Sequence, residues 1–184
     1  MSEQPPPGYG YPAPPPPPPV PGGVRPGELV DRFLARLIDG VALGVVYFIV
    51  GMIVSPLFLH GFIYSRGEWF LYYLVTSIID VVLFLGYYAF MESSRGQTVG
   101  KMVMKLKTVG PDGVSNPTLE QAIRRNIFYA ATLLSIIPIF GTFLGGILSL
   151  VAVIMIAVGI NNDTVNRQAW HDHFAGGTRV LKIG

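Results

Sequence analysis

Two carboxylates stand where the sequence is otherwise apolar. Asp39 falls inside the apolar stretch 37–59, and Asp80 lies 11 residues from Trp69 and 10 from Phe90 in the stretch 69–90. An ionised carboxylate in such surroundings is costly unless it is paired or protonated, so each is a candidate for ion or proton handling. Arg32, Arg36 and Asp39 share one helical face at i, i+4 and i+7. A salt bridge from Asp39 to Arg36 or Arg32 then has two readings: a clamp that fixes helix depth, or a cation-binding carboxylate with an arginine gate. Asp80 reads either as part of an ion or proton path or as a protonated group bonded to a hydroxyl such as Thr132 or Ser149.

Other residues invite chemistry less convincingly. His171-Asp172-His173 puts two imidazoles at i, i+2, which do not share a helix face, with no further His or Cys nearby. No metal is expected there. Asp172 is better placed to orient backbone or to pair with an arginine, Arg32 being the candidate. Gly96 to Lys101 has three residues between its glycines where a phosphate loop has four, and Met102 where that loop places Ser or Thr. We expect a tight turn with Lys101 facing lipid headgroups. No Ser-His-Asp order, HExxH or paired catalytic carboxylate stands out, so neither an enzyme nor a cofactor is expected.

The elements that must position these residues follow from composition. The chain has 184 residues, 51% hydrophobic and only 13% charged, with no cysteine. Soluble domains carry about 25% charge. A net charge of +2 without a basic stripe argues against nucleic acid as a partner. The stretches 37–59 and 69–90 are each long enough to span a bilayer, at about 1.5 Å per residue against about 30 Å of hydrocarbon. A third uncharged run, 127–160, is too long for one straight crossing and must break near Pro138 and Gly141. Either residues 118–137 lie along the interface and only 142–160 crosses, or both limbs, about 124–138 and 142–160, cross as a tight hairpin.

Charge placement favours the hairpin. Arg25, Arg32 and Arg36 precede the first span, six basic residues fall between 91 and 126, and Arg167, Arg179 and Lys182 follow the last. Loops rich in Lys and Arg stay cytoplasmic. The amino terminus, the central segment and the carboxyl terminus are therefore all expected inside, which needs four crossings of the cell membrane. The first hairpin limb holds only 11 uncharged residues, so Arg124 and Arg125 would have to snorkel. Met102–Val109 and Thr178–Ile183 alternate apolar and polar residues and are expected to pair as a small cytoplasmic sheet. Thr118 with Gln121 reads as a capping box opening the next helix.

Residues 1–27 hold 12 of the 16 prolines, including the run 14–19. Such a segment cannot bury a core, and a disordered, polyproline-like tail is expected. It is either a solvated spacer or a ligand for an aromatic-lined groove of a partner protein. Gly40-xxx-Gly44 and Gly141-xxx-Gly145 offer small faces for close helix contact, within the chain or in a homo-oligomer.

Three stretches together resemble the RDD family of membrane proteins: Arg32-Phe-Leu-Ala-Arg-Leu-Ile-Asp39, Gly96-Gln-Thr-Val-Gly-Lys101 with Lys105-Leu-Lys-Thr-Val109, and the segment from Arg167 through His171-Asp172-His173 to Val180. The resemblance covers 28–184 and places the family's arginine and two aspartates at Arg32, Asp39 and Asp172. It implies a multi-span domain, usually described with two or three spans, in which transport is suspected and sodium/proton exchange proposed for some members. The expected fold is an all-α integral membrane bundle of three or four helices with a short cytoplasmic β-like segment. The expected function is movement of an ion or small solute along Arg32, Arg36, Asp39 and Asp80. The rival is a membrane adaptor that recruits partners through the proline-rich tail.

Overall fold

The computed structural model describes residues 23–59, 65–137 and 139–184. Most of the proline-rich tail, the loop 60–64 and Pro138 lie outside the described residues. In chain order, strand β1 (Arg25–Pro26) leads to helices α1 (Leu29–Phe58), α2 (Arg66–Arg95) and α3 (Val99–Val103), then to strand β2 (Leu106–Val109) and helix α4 (Leu119–Asn126). A 3₁₀ helix (Ile127–Ile136), α5 (Phe140–Asn162), α6 (Trp170–Phe174) and strand β3 (Arg179–Lys182) complete it. α1, α2 and α5 are long and apolar enough to cross a membrane. The chain is thus a mostly helical membrane protein carrying a small sheet, as its composition leads one to expect.

The sheet has the order β1-β3-β2, with β3 antiparallel to both neighbours. Val180 of β3 and Leu106 of β2 point the same way and seal against Ala35 of α1 in a small apolar core. Two boundaries differ from the sequence reading. Arg25 and Pro26 pair with Lys182 and Leu181, and the Gly27 amide donates to the Val180 carbonyl at 2.8 Å, so the end of the tail is ordered into the sheet. Met102 and Val103 belong to α3, because the Thr98 hydroxyl caps the Lys101 amide and starts a helix turn there. Gly96 ends α2 in the left-handed region at φ 69°. A Cβ at that position would sit 2.8 Å from the Thr108 carbonyl oxygen, so the turn into β2 needs glycine twice over.

The sheet joins segments from before α1, after α2 and after α5, which places all three at one end of the molecule. The return from α4 to the start of α5 is made by the 3₁₀ helix, packed against both α2 and α5. The limb expected over 124–138 is therefore no uniform α-helix. At about 2.0 Å per residue instead of about 1.5 Å, ten residues reach about 20 Å, some 5 Å further than an α-helix would. That stretch compensates a limb with few uncharged residues. It also packs closely: a Cβ on Gly141 would lie 1.8 Å from the Leu134 carbonyl oxygen, and one on Gly145 2.8 Å from that of Ala131. The Gly141-xxx-Gly145 face is used inside the chain, whereas Gly40 and Gly44 face open space. Arg125 does not snorkel: it is 2% exposed and held by acidic partners, while exposed Arg124 pairs with Glu120.

Candidate functional site

Asp39 lies on α1 and is fully buried. Its partners are not Arg36 or Arg32. Oδ1 accepts from the Tyr87 hydroxyl and from the Gly100 amide, both at 2.7 Å, and Oδ2 accepts from the Thr98 hydroxyl at 2.6 Å. The Tyr87 hydroxyl in turn accepts from the Val99 amide at 3.0 Å. Asp39 thus takes up the Gly100 amide of the first turn of α3 directly and supports the Val99 amide through Tyr87, donors that have no partner within their own helix. The reason the arginine pairing fails is α3 itself. Gly100 brings its backbone so close that a Cβ there would be 2.0 Å from the Ala35 carbonyl oxygen and 3.0 Å from Asp39 Cγ.

The arginines are drawn into a second buried constellation. Arg125 Nη1 lies 2.8 Å from Asp172 Oδ1, and Arg32 Nη1 lies 3.5 Å from Asp172 Oδ2. Glu92 accepts from Lys101 at 2.5 Å and from Asn126 at 3.2 Å, with Arg125 Nε at 3.6 Å. Arg36 donates to Asn126 at 2.7 Å and to Tyr129 at 3.1 Å, and its guanidinium stacks 3.9 Å above the Tyr88 ring. Lys101, expected at the headgroups, is instead buried and also donates to Thr108 at 2.7 Å. Burial pushes its ammonium down to about 8, with Glu92 opposing. Burial would raise the Asp172 carboxyl, but Arg125 and Arg32 outweigh it and hold the group down at about 2. Burial together with Arg125 lowers the His171 imidazole to about 3, so it is neutral; its Nε2 lies 3.5 Å from Arg125 Nη2.

Two polar rows leave this constellation and face each other along the interior. On α2 the row is Tyr73, Ser77, Asp80, Phe84, Tyr88 and Glu92, spaced by three or four residues. The facing row is Asn126, which closes α4, and then Tyr129, Thr132 and Ser135 on the 3₁₀ helix, where every third residue eclipses. They meet at Glu92 with Asn126, at Tyr88 stacked on Tyr129 with centroids 5.2 Å apart, and at Ser77 with Ser135 at 2.7 Å. From Tyr73 to Glu92 the α2 row covers about 28 Å, close to the hydrocarbon thickness of about 30 Å. Asp80 is half-buried within it and makes no hydrogen bond or ion pair among the described residues. Of the two hydroxyls expected for it, Thr132 donates to the Tyr129 carbonyl instead, and Ser149 makes no hydrogen bond to it.

The structure therefore brings Arg32, Arg36 and Asp172 into one network, sets Asp39 of α1 beside it against α3, and leaves Asp80 farther along α2. Sequence reasoning missed Glu92, Asn126, Tyr87 and Thr98. Glu92 had a signal: it extends the three-and-four spacing that runs through Ser77, Asp80 and Tyr88. The others are brought in only by the tertiary fold.

Comparison with known proteins shows the family. The chain is similar to "Uncharacterized protein YxaI" of Bacillus subtilis (strain 168), with 30% identity over 146 residues covering 73% of this chain and 87% of that protein. No solved structure matches it. Residues 26–176, which include Arg32, Asp39, Asp172 and every span, match the RDD family, and the chain belongs to that family.

Proposed function

We propose that this RDD protein moves a small ion or solute across the cell membrane, with Asp80 as the group that binds or relays the charge. The observation that carries the reading is Asp80 itself, half-buried on α2 at a level between Ser77, bonded to Ser135, and Tyr88, stacked on Tyr129, and without a hydrogen bond or ion pair among the described residues. A membrane anchor gains nothing from hydroxyls and a carboxylate along its interior, where each polar group costs free energy unless satisfied. The orientation follows from charge: all the basic residues except Arg66 fall at the sheet end, which supports a cytoplasmic sheet. Arg32, Arg36 and Asp39 then form the inner mouth and do not line the whole route.

The test is ion or proton flux in vesicles carrying the purified chain. Asp80→Asn keeps size and shape and is expected to abolish flux while the melting temperature in detergent stays within a few degrees. Unchanged flux beside an active parent ends the role of Asp80. A parent inactive under every ion and pH gradient leaves the adaptor reading, tested by partner capture that disappears when residues 1–27 are removed.

A further inference from the structure

α1 and α5 touch only sparsely. Between them, at the sheet end, opens a cavity of about 330 Å³, at the lower end of the range for small-molecule sites, about 300–1,000 Å³. The formally charged residues on its wall are Arg32, Arg36, Lys101 and Arg125, all cationic. Counting the acids behind them, Glu92, Asp172 and Asp39, one positive charge remains in excess. Arg36 and Lys101 are well occupied by neighbours, but Arg32 is not. Its Nε donates to the Gly27 carbonyl at 3.0 Å, while Nη1 faces Asp172 without hydrogen-bond geometry and Nη2 has no acceptor among the described residues, although the residue is only 7% exposed. His171 Nδ1, on the same wall, is buried and has no hydrogen-bond partner among the described residues. A buried guanidinium short of acceptors is suited to an oxyanion that takes both terminal nitrogens.

The rest of the wall is apolar. Phe33 and Leu37 of α1 and Val153 of α5 flank the opening and are exposed on the outer surface of two spans. A free aqueous anion would have to pass this apolar rim, whereas a lipid reaches it by sliding within its leaflet. We propose that the cavity holds the phosphate of an anionic phospholipid against Arg32, with acyl chain lying outward between α1 and α5. Basic pockets between spans at the inner surface are suited to such headgroups. The site is on the α1–α5 side, away from Asp80, and its binding is read without any flux.

The full chain, purified in neutral detergent, is offered phosphatidylglycerol or phosphatidylcholine of matched chains, and bound lipid is counted by native mass spectrometry. One phosphatidylglycerol is expected to be retained about ten-fold more strongly than phosphatidylcholine, a difference of about 1.4 kcal/mol. Arg32→Gln removes the phosphate contact, and Ala157→Phe fills the apolar part without touching a charge; each is expected to abolish that preference. The melting temperature without lipid checks folding, and Ala157→Phe decides where Arg32→Gln does not fold. Equal retention of both lipids by the unaltered chain, or a preference that survives Ala157→Phe, overturns the proposal. So does displacement of phosphatidylglycerol by millimolar inorganic phosphate, which would make the free anion the ligand.

Discussion

At the scale of residues, the Arg32–Asp172 pair is real but secondary. Asp172 is shared, and its shorter contact is to Arg125 at 2.8 Å. Exchanging the two charges as Arg32→Asp with Asp172→Arg would therefore set a new cation beside Arg125. The double exchange is expected to be at least as unstable as either single change, each costing about 3–5 kcal/mol for a broken buried pair. Recovery of the parental melting temperature would show that Arg32 is the dominant partner after all. His171 gives a second expectation, because Arg125, Arg32, Arg36 and Asp172 all act on it while burial keeps it neutral. Unfolded, it binds a proton below about 6.5; folded, only below about 3. The unfolded chain holds more protons between those values, so stability falls as pH drops through that window, by up to about 1.4 kcal/mol per unit. The depressed Asp172 carboxyl adds its own loss lower down, between its ordinary 3.8 and about 2. His171→Gln is expected to flatten the melting temperature between pH 6.5 and 4, a window set by the His171 values; an unchanged slope contradicts this.

At the scale of elements, short α3 is the piece that makes Asp39 structural. Gly100→Ala would force its backbone off the Ala35 carbonyl and loosen the Asp39 contacts, an overpacking cost of about 1–3 kcal/mol. Gly40→Ala, on the open face of α1, meets nothing and is expected to be neutral or to stabilise by up to about 1 kcal/mol. Chemical denaturation of both in detergent reads the contrast, and equal effects would remove α3 from its place against α1. The long helices were legible because the apolar runs of 37–59 and 69–90 leave few alternatives at that length. So was the capping box, in which Thr118 and Gln121 each bond the other's backbone. The 3₁₀ limb was not. Ile127 to Ile136 suits an α-helix equally well by composition, and only the facing row on α2 shows what the three-residue spacing of Tyr129, Thr132 and Ser135 does. Nor could a single chain show that Lys101 turns inward to Glu92, since that pairing depends on Gly96 reversing the backbone.

At the scale of the whole molecule, the sheet holds the segments before α1, after α2 and after α5 at one end, so the proposed sidedness is open to direct labelling. No native cysteine interferes. Single cysteines at the exposed positions Val24, Ser115 and Thr164 are expected to react with an impermeant maleimide only after the membrane is opened, and one at Gly67 to react in intact cells. Labelling of Thr164→Cys from outside would place α5 in the opposite sense and break the hairpin. The sheet order also bears on biogenesis. β3 is the central strand, yet it follows every span in the chain. While the ribosome is still adding residues, β1 and β2 have no strand to pair with, and Arg32 and Arg125 are without Asp172. Under the proposed orientation, Arg32 and Arg125 thus keep more of their charge while the spans are being inserted. Asp172, which follows every described span, adds its negative charge only afterwards, so the charge that would set sidedness is lowered once the spans are in place.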